Sequence, residues 1–232
     1  MLFGLFRFDW TILIVLPALF FSIWAQFKVQ STYKKYSNVP TRRGMSGAQA
    51  ARRILDDNGL RHVAIEHIRG ELNDHFDPKA NVIRLSDAVH DSTSAAAIGV
   101  AAHEAGHAVQ YAKGYTPMKI RAAIIPATRI GSIAAIPLFF FGLILASDAL
   151  MLFGILLYAT IALFQLATLP VEFNASNRAM AVLRGTRMLD SDELGAAKEV
   201  LTAAAMTYVA ALVSSLLTIL RLLVLAGGRR RN

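Results

Sequence analysis

Four apolar stretches dominate this sequence, at residues 10–27, 130–146, 149–169 and 208–226. Each is close to the length that carries an α-helix across the hydrocarbon core of a bilayer. Inside lipid the backbone must satisfy its own hydrogen bonds, and a helix does so within one segment. The pattern therefore predicts a mainly α, integral-membrane protein with about four transmembrane helices, multi-pass in the cell membrane. Only Ser147 and Asp148 separate the second stretch from the third, so these two should form a tight helical hairpin. Composition agrees, with 55% of the 232 residues hydrophobic and a mean hydropathy of +0.45. Arg7 and Asp9 make a poor basic start for a signal peptide, and no small-residue cleavage pattern follows the first stretch. It reads as a retained anchor.

These stretches divide the chain into an N-terminal anchor (1–27), a soluble part (28–122), a membrane hairpin (123–169), a helical segment (170–206) and a C-terminal membrane helix with a basic tail (207–232). In the soluble part, Ser46 is placed to cap a helix over 47–58 that Gly59 ends. Residues 62–68 read as a strand with Val63, Ile65 and His67 on one face. The run 77–81 is turn chemistry around Pro78, and 82–85 is a second short strand. A helix over 95–113 follows, capped by Ser92 or Ser94 and stopped by Gly114. Pro170 marks the start of the later segment, helical over 172–184, and Ser191 caps a further helix into the fourth stretch.

Charge and cysteine usage narrow the function. The net charge is +8, but in a membrane protein Lys and Arg report topology and headgroup contact first. The basic residues are scattered and lack the clustering of a nucleic-acid surface, so no nucleic-acid partner is expected. With no cysteine in the chain, disulfides, thiolate metal sites and a cysteine nucleophile are excluded, and any transition metal must be held by His and carboxylates. The apolar stretches show no pair of matching Gly/Pro-broken halves, which argues against a transporter.

The predicted helix over 95–113 contains His103-Glu104-Ala105-Gly106-His107. Residues i and i+4 share one helix face about a turn apart, so two imidazoles can reach one zinc ion. Glu104 lies one residue past the first ligand, within reach of a water at the metal without being a ligand itself. That is the arrangement of a zinc hydrolase with a glutamate general base. Small residues at 101, 102, 105, 106 and 108 suit close approach or tight packing around this helix.

Two histidines leave a zinc site one protein ligand short. No third histidine follows His107 in the chain, and Glu172, just beyond the third stretch, is the best remaining candidate. Glu193 and Glu199 sit in a more solvent-like helix. Two crossings separate the His103 region from Glu172, which returns both to the same side of the membrane.

The residues 103–110 (HEAGHAVQ), 72–85 (LNDHFDPKANVIRL) and 207–211 (TYVAA) resemble the YugP-type neutral zinc metallopeptidases of bacterial membranes, over about residues 33–225. More distantly the chain is similar to the HtpX and CAAX-prenyl-protease group. That resemblance implies a zincin-like catalytic domain with a short β-element, one Zn2+ per chain and a peptide or membrane-protein substrate. In that group a Glu-x-x-x-Asp helix supplies the third ligand; here Glu172 matches and Ser176 stands at the Asp position. The group's edge strand pairs with extended substrate, and 82–85 is its match here.

Glu104 separates this expectation from its main rival, a zinc-stabilised non-hydrolytic membrane scaffold or chaperone, which would need no base beside the metal. Asp74, His75 and Asp77 form a polar cluster most simply read as turn formation. Tyr208 is either an oxyanion donor or an interfacial anchor, and Arg221 is expected to snorkel from near the end of its stretch. The count of Lys and Arg near the stretch ends favours a cytoplasmic catalytic side, with Lys28, Lys34, Lys113, Lys119, Arg184 and Lys198 among those it carries. Arg7, Arg229, Arg230 and Arg231 count for the other side, unless the fourth stretch lies along the membrane.

Overall fold

The computed structural model describes residues 9–229, so Arg7, Arg230 and Arg231 lie outside the described residues. In chain order the elements are α1 (Ile12–Ser37), α2 (Gly47–Asp57), β1 (Ala64–Ile68), β2 (His75–Asp77), β3 (Val82–Ser86), α3 (Ala95–Ala112), α4 (Thr116–Ile144), α5 (Asp148–Gly185) and α6 (Ser191–Arg229). The fold is mainly helical with one small sheet.

α1, α4, α5 and α6 are each long and apolar enough to cross a membrane, and at most 22% of any of their most apolar windows is buried within the chain. Large side chains such as Phe20, Ile133, Ile144 and Leu152 therefore face outward. Water penalises so much exposed hydrocarbon, whereas lipid does not. All four helices outrun their apolar stretches. Pro126 and Pro137 sit inside α4, and Pro170 sits inside α5. Pro170 is thus not a boundary, and the predicted helix over 172–184 is the continuation of α5. A proline removes one intrahelical bond, but the turns on either side still hold the helix in line.

The chain forms two compact units. The first comprises residues up to Trp24, Arg121–Leu166 and residues from Tyr208 onward. Here α4 and α5 form the expected hairpin, and glycines let their backbones touch. A Cβ on Gly142 would stand 2.6 Å from Met151 N, and one on Gly154 would stand 2.7 Å from Phe139 N. Small residues at crossings are how apolar helices associate in the absence of a hydrophobic driving force. Phe139, Met151, Ile155 and Leu222 form this unit's core. Arg221 does not simply snorkel: its Nη2 donates to Asp9 Oδ2 at 2.7 Å and its Nε to Thr11 Oγ1 at 3.2 Å. The pairing reduces the cost of a cation among apolar helices.

The second unit comprises Ala25–Ile120 and Ala167–Thr207. α2 begins as expected, with Ser46 and Gln49 forming a reciprocal capping box. Ser94 caps α3, and Gly114 follows its end with a φ of +63°. The sheet order is β1-β3-β2, with β1 parallel and β2 antiparallel to β3. Residues 82–85 are therefore in the central strand, which corrects the expectation that they form the edge. The edge strands are β1 and β2, and β2 is hidden in sequence because it is three residues long and flanked by turn formers. The polar cluster accounts for this hairpin. Asp74 accepts from the Ser86 N–H and hydroxyl. Asp77 accepts from Lys79 and Ala80 N–H groups and pairs with Arg84 across the hairpin at 2.9 Å.

α3 is the hub of this unit, buried along most of its length against a core that includes Ile54, Leu55, Ile83, Leu85, Leu183 and Leu201. Its small residues are packing residues. A Cβ on Gly106 would stand 2.9 Å from Ala175 O of α5, and one on Gly99 would stand 3.2 Å from Ala197 Cβ of α6.

Candidate metal centre

His103, Glu104 and His107 lie on α3, and Glu172 lies on α5, all within the second unit. The i,i+4 spacing sets the two imidazoles one turn apart, with ring centroids 4.6 Å apart and planes at 84°. Both Nε2 atoms point at one oxygen of Glu172: His103 Nε2 is 3.3 Å and His107 Nε2 is 3.5 Å from Glu172 Oε2. Ligand atoms of a tetrahedral zinc, each about 2.0–2.2 Å from the ion, stand about 3.3–3.5 Å from one another. The donor set is neutral imidazole and carboxylate, which suits zinc. Site geometry and donor chemistry therefore both fit the ion, and these three residues are a group able to hold one.

The side chains behind the histidines determine which nitrogen faces the centre. Gln110 is fully buried, and its Nε2 donates to Val171 O at 2.8 Å and Asn174 Oδ1 at 2.9 Å. With both amide hydrogens used, its Oε1 is the atom 3.0 Å from His107 Nδ1. Nδ1 must then carry a proton, and Nε2 is the nitrogen that faces Glu172. Arg178 Nε donates to the same Asn174 Oδ1 at 2.7 Å, tying that amide in place. Ser176 Oγ lies 3.1 Å from His103 Nδ1 and can hold the other ring in the same sense. A serine at the position where the wider group has Asp thus still makes the contact, as a neutral hydrogen bond.

Glu104 is buried, and its Oε2 accepts the Phe76 N–H of β2 at 2.9 Å. Burial pushes its carboxyl above the ordinary range, against the pull of His107 and His103. One carboxylate oxygen is thus anchored to the outer strand of the sheet.

The other acids considered from sequence are engaged elsewhere. Glu193 accepts the Arg42 and Asp190 N–H groups, and Glu199 pairs with Lys35 at 3.5 Å. Tyr208 belongs to the first unit. A second group, His67, His90 and Asp91, also brings possible ligand atoms together. Its imidazoles are stacked at 4.6 Å with planes 8° apart, so their in-plane lone pairs do not converge on one ion. Sequence reasoning missed Gln110 and Asn174. Gln110 carried a signal, since it lies three residues after His107 and so on the same helix face; Asn174 carried none without the fold.

The family model described as "Putative neutral zinc metallopeptidase" matches residues 11–227. The chain is also 45% identical over 222 residues to the "Putative membrane protease YugP" of Bacillus subtilis (strain 168), covering 95% of this chain and 99% of that protein. No solved structure matches. With the match running through all six helices and the strands between them, the chain belongs to the YugP-type family of neutral zinc metallopeptidases.

Proposed function

We propose that the chain is a membrane-embedded zinc endopeptidase with a zincin-like catalytic part, in which His103, His107 and Glu172 hold one zinc and Glu104 is the general base. The carrying observation is the convergence of two imidazole nitrogens on one carboxylate oxygen at 3.3 and 3.5 Å, the separation expected of zinc ligands. When bound there, zinc supplies a Lewis acid that polarises a peptide carbonyl and makes a water more acidic. Glu104 takes the proton of the attacking water and returns it to the departing amine, so one carboxylate serves both halves of the hydrolysis. Its raised pKa suits the first role, because a carboxylate of higher pKa is the stronger base towards the water's proton. Ser176 and Gln110 hold the two rings in the tautomer that ligation requires.

β2 is the strand on which an extended substrate would add, since of the two edge strands it is the one whose Phe76 amide touches Glu104. Residues 28–122 and 170–206 make up the catalytic part in this reading; 1–27, 123–169 and 207–232 make up the membrane part. The catalytic side faces the cytoplasm, and a reporter fused at Asp148 that signals from the cytoplasm would reverse that orientation. The scaffold alternative gives the buried Glu104 beside the donor triad no task beyond holding the Phe76 amide.

The test is metal analysis and peptidase assay of the detergent-purified chain. Wild type should hold one zinc and cleave peptides, and His103→Ala or His107→Ala should lose the metal. Glu104→Gln should keep the zinc and lose turnover, because an amide cannot accept the water's proton. Equal turnover in Glu104→Gln would remove the mechanism.

A further inference from the structure

An open cavity of about 370 Å3 runs between α5 and α6 in the second unit. One wall is Ser176, the residue whose hydroxyl lies 3.1 Å from His103 Nδ1, so the cavity begins directly behind the donor triad. Phe173, Met180 and Leu201 give it an apolar lining, and Arg184 and Lys198 bring two exposed cations. No acidic side chain lines it, and neither cation forms an ion pair among the described residues. Arg42, by contrast, is partnered by Asp190 and Asp192, and Arg84 by Glu66 and Asp77.

Resting on the peptidase reading above, we propose that this cavity is a specificity groove that takes a substrate segment bearing an acidic side chain about five to six residues from the scissile bond. The spacing follows from the helix. Glu172, the α5 residue at the donor triad, and Arg184 are twelve positions apart on α5, about 18 Å at 1.5 Å per residue. An extended peptide covers that distance in about five to six residues at roughly 3.3 Å each. The apolar lining takes the side chain between, and the two cations, with no acid nearby, complement the negative charge. A peptide suits the groove better than a lipid headgroup. The wall formed by Ser176 and Asn177 offers hydrogen-bonding groups along the path, and an entering peptide backbone needs such partners.

Binding is measured on the full zinc-loaded chain in detergent, carrying Glu104→Gln so that peptides stay intact. Two fluorescent peptides are compared, identical except for Glu or Lys at the fifth and sixth positions on both sides of a central Ala-Leu bond. The Glu peptide should bind at least about tenfold more tightly, and the preference should weaken as salt is raised. Arg184→Glu with Lys198→Glu should invert the preference, while Arg184→Ala with Lys198→Ala should abolish it. Both residues are exposed, and an unchanged zinc content in these variants verifies their fold. Equal affinity for the two peptides, or a preference indifferent to charge reversal, overturns the proposal. So does a reversal that alters only binding to vesicles containing phosphatidylglycerol, which would make the groove a headgroup site. Cleavage by the Glu104-intact chain is scored separately. Discrimination without cleavage would sink the peptidase reading and leave the groove standing; cleavage without discrimination would sink the groove alone.

Discussion

Gln110→Met tests whether the residue behind His107, a proposed zinc ligand, sets the affinity of the site. Methionine has similar length and suits a buried position, but cannot accept from His107 Nδ1 or donate to Val171 O and Asn174 Oδ1. Two separate costs follow. Without zinc, the Val171 carbonyl and the His107 N–H lose a buried partner, while Asn174 keeps Arg178. An orphaned buried polar group costs about 1–3 kcal/mol, so the metal-free chain should lose stability on that order, with the buried methionine offsetting part of it. With zinc, the ring loses the contact that holds its proton on Nδ1. One such hydrogen bond is worth about 1–1.5 kcal/mol, and 1.4 kcal/mol is tenfold in affinity. Outer partners of ligating histidines are typically worth 10–100-fold, so a zinc affinity about tenfold weaker is expected. A competition titration against a fluorescent chelator reads the affinity at a temperature where both proteins are folded, and thermal unfolding of the metal-free chain reads the stability. A variant that melts earlier yet binds zinc as tightly as wild type would show that Gln110 is a packing residue only.

Ser176→Asp would replace a neutral contact to His103 with a charge-assisted one, so zinc should bind about three- to tenfold more tightly; unchanged affinity in the same titration would mean that Ser176 does not orient the ring. Gly106→Ala gains about 1 kcal/mol of helix propensity but drives a methyl to 2.9 Å from Ala175 O, and overpacking of about 1–3 kcal/mol should prevail. The separation of α3 from α5 should also weaken zinc binding, and a stabilised variant with intact affinity would contradict the close approach. The hydrogen bond from Arg84, with the Ala80 and Lys79 N–H groups, holds the Asp77 carboxyl below the usual carboxylate range. A lowered folded pKa contributes stability that is present above the unfolded value near 3.9 and lost as pH falls through the lowered folded value. The β2–β3 hairpin should therefore lose amide protection, taken relative to the intrinsic exchange rate at each pH, below about pH 4. In Asp77→Asn that pH dependence should vanish, and an identical profile in both proteins would exclude this origin.

Local periodicity made part of this protein readable in advance. Apolar runs of bilayer length specify membrane helices whatever the fold, because lipid acts on each segment alone. The capping box at Ser46, the cap at Ser94 and the His103–His107 pair are likewise interactions between residues three or four apart, determined before any tertiary contact forms. Glu172 was legible only as the best remaining carboxylate, and its approach to both imidazoles depends on packing α3 against α5 through Gly106. Gln110 meets Val171 61 positions away, and Ser176 meets His103 across 73; no spacing rule encodes such pairs. Helix ends and strand order were also tertiary decisions. Pro170 reads as a break because one lost hydrogen bond is visible in sequence, whereas the bonds and contacts that hold the helix on either side are not. β2 exists because Phe76 and its neighbours pair with β3 and with Glu104, and three residues have no periodicity of their own. What the sequence determined by itself was therefore the set of helices and the zinc-helix motif; the third donor, the tautomers and the exposed strand edge were decided only where distant segments met.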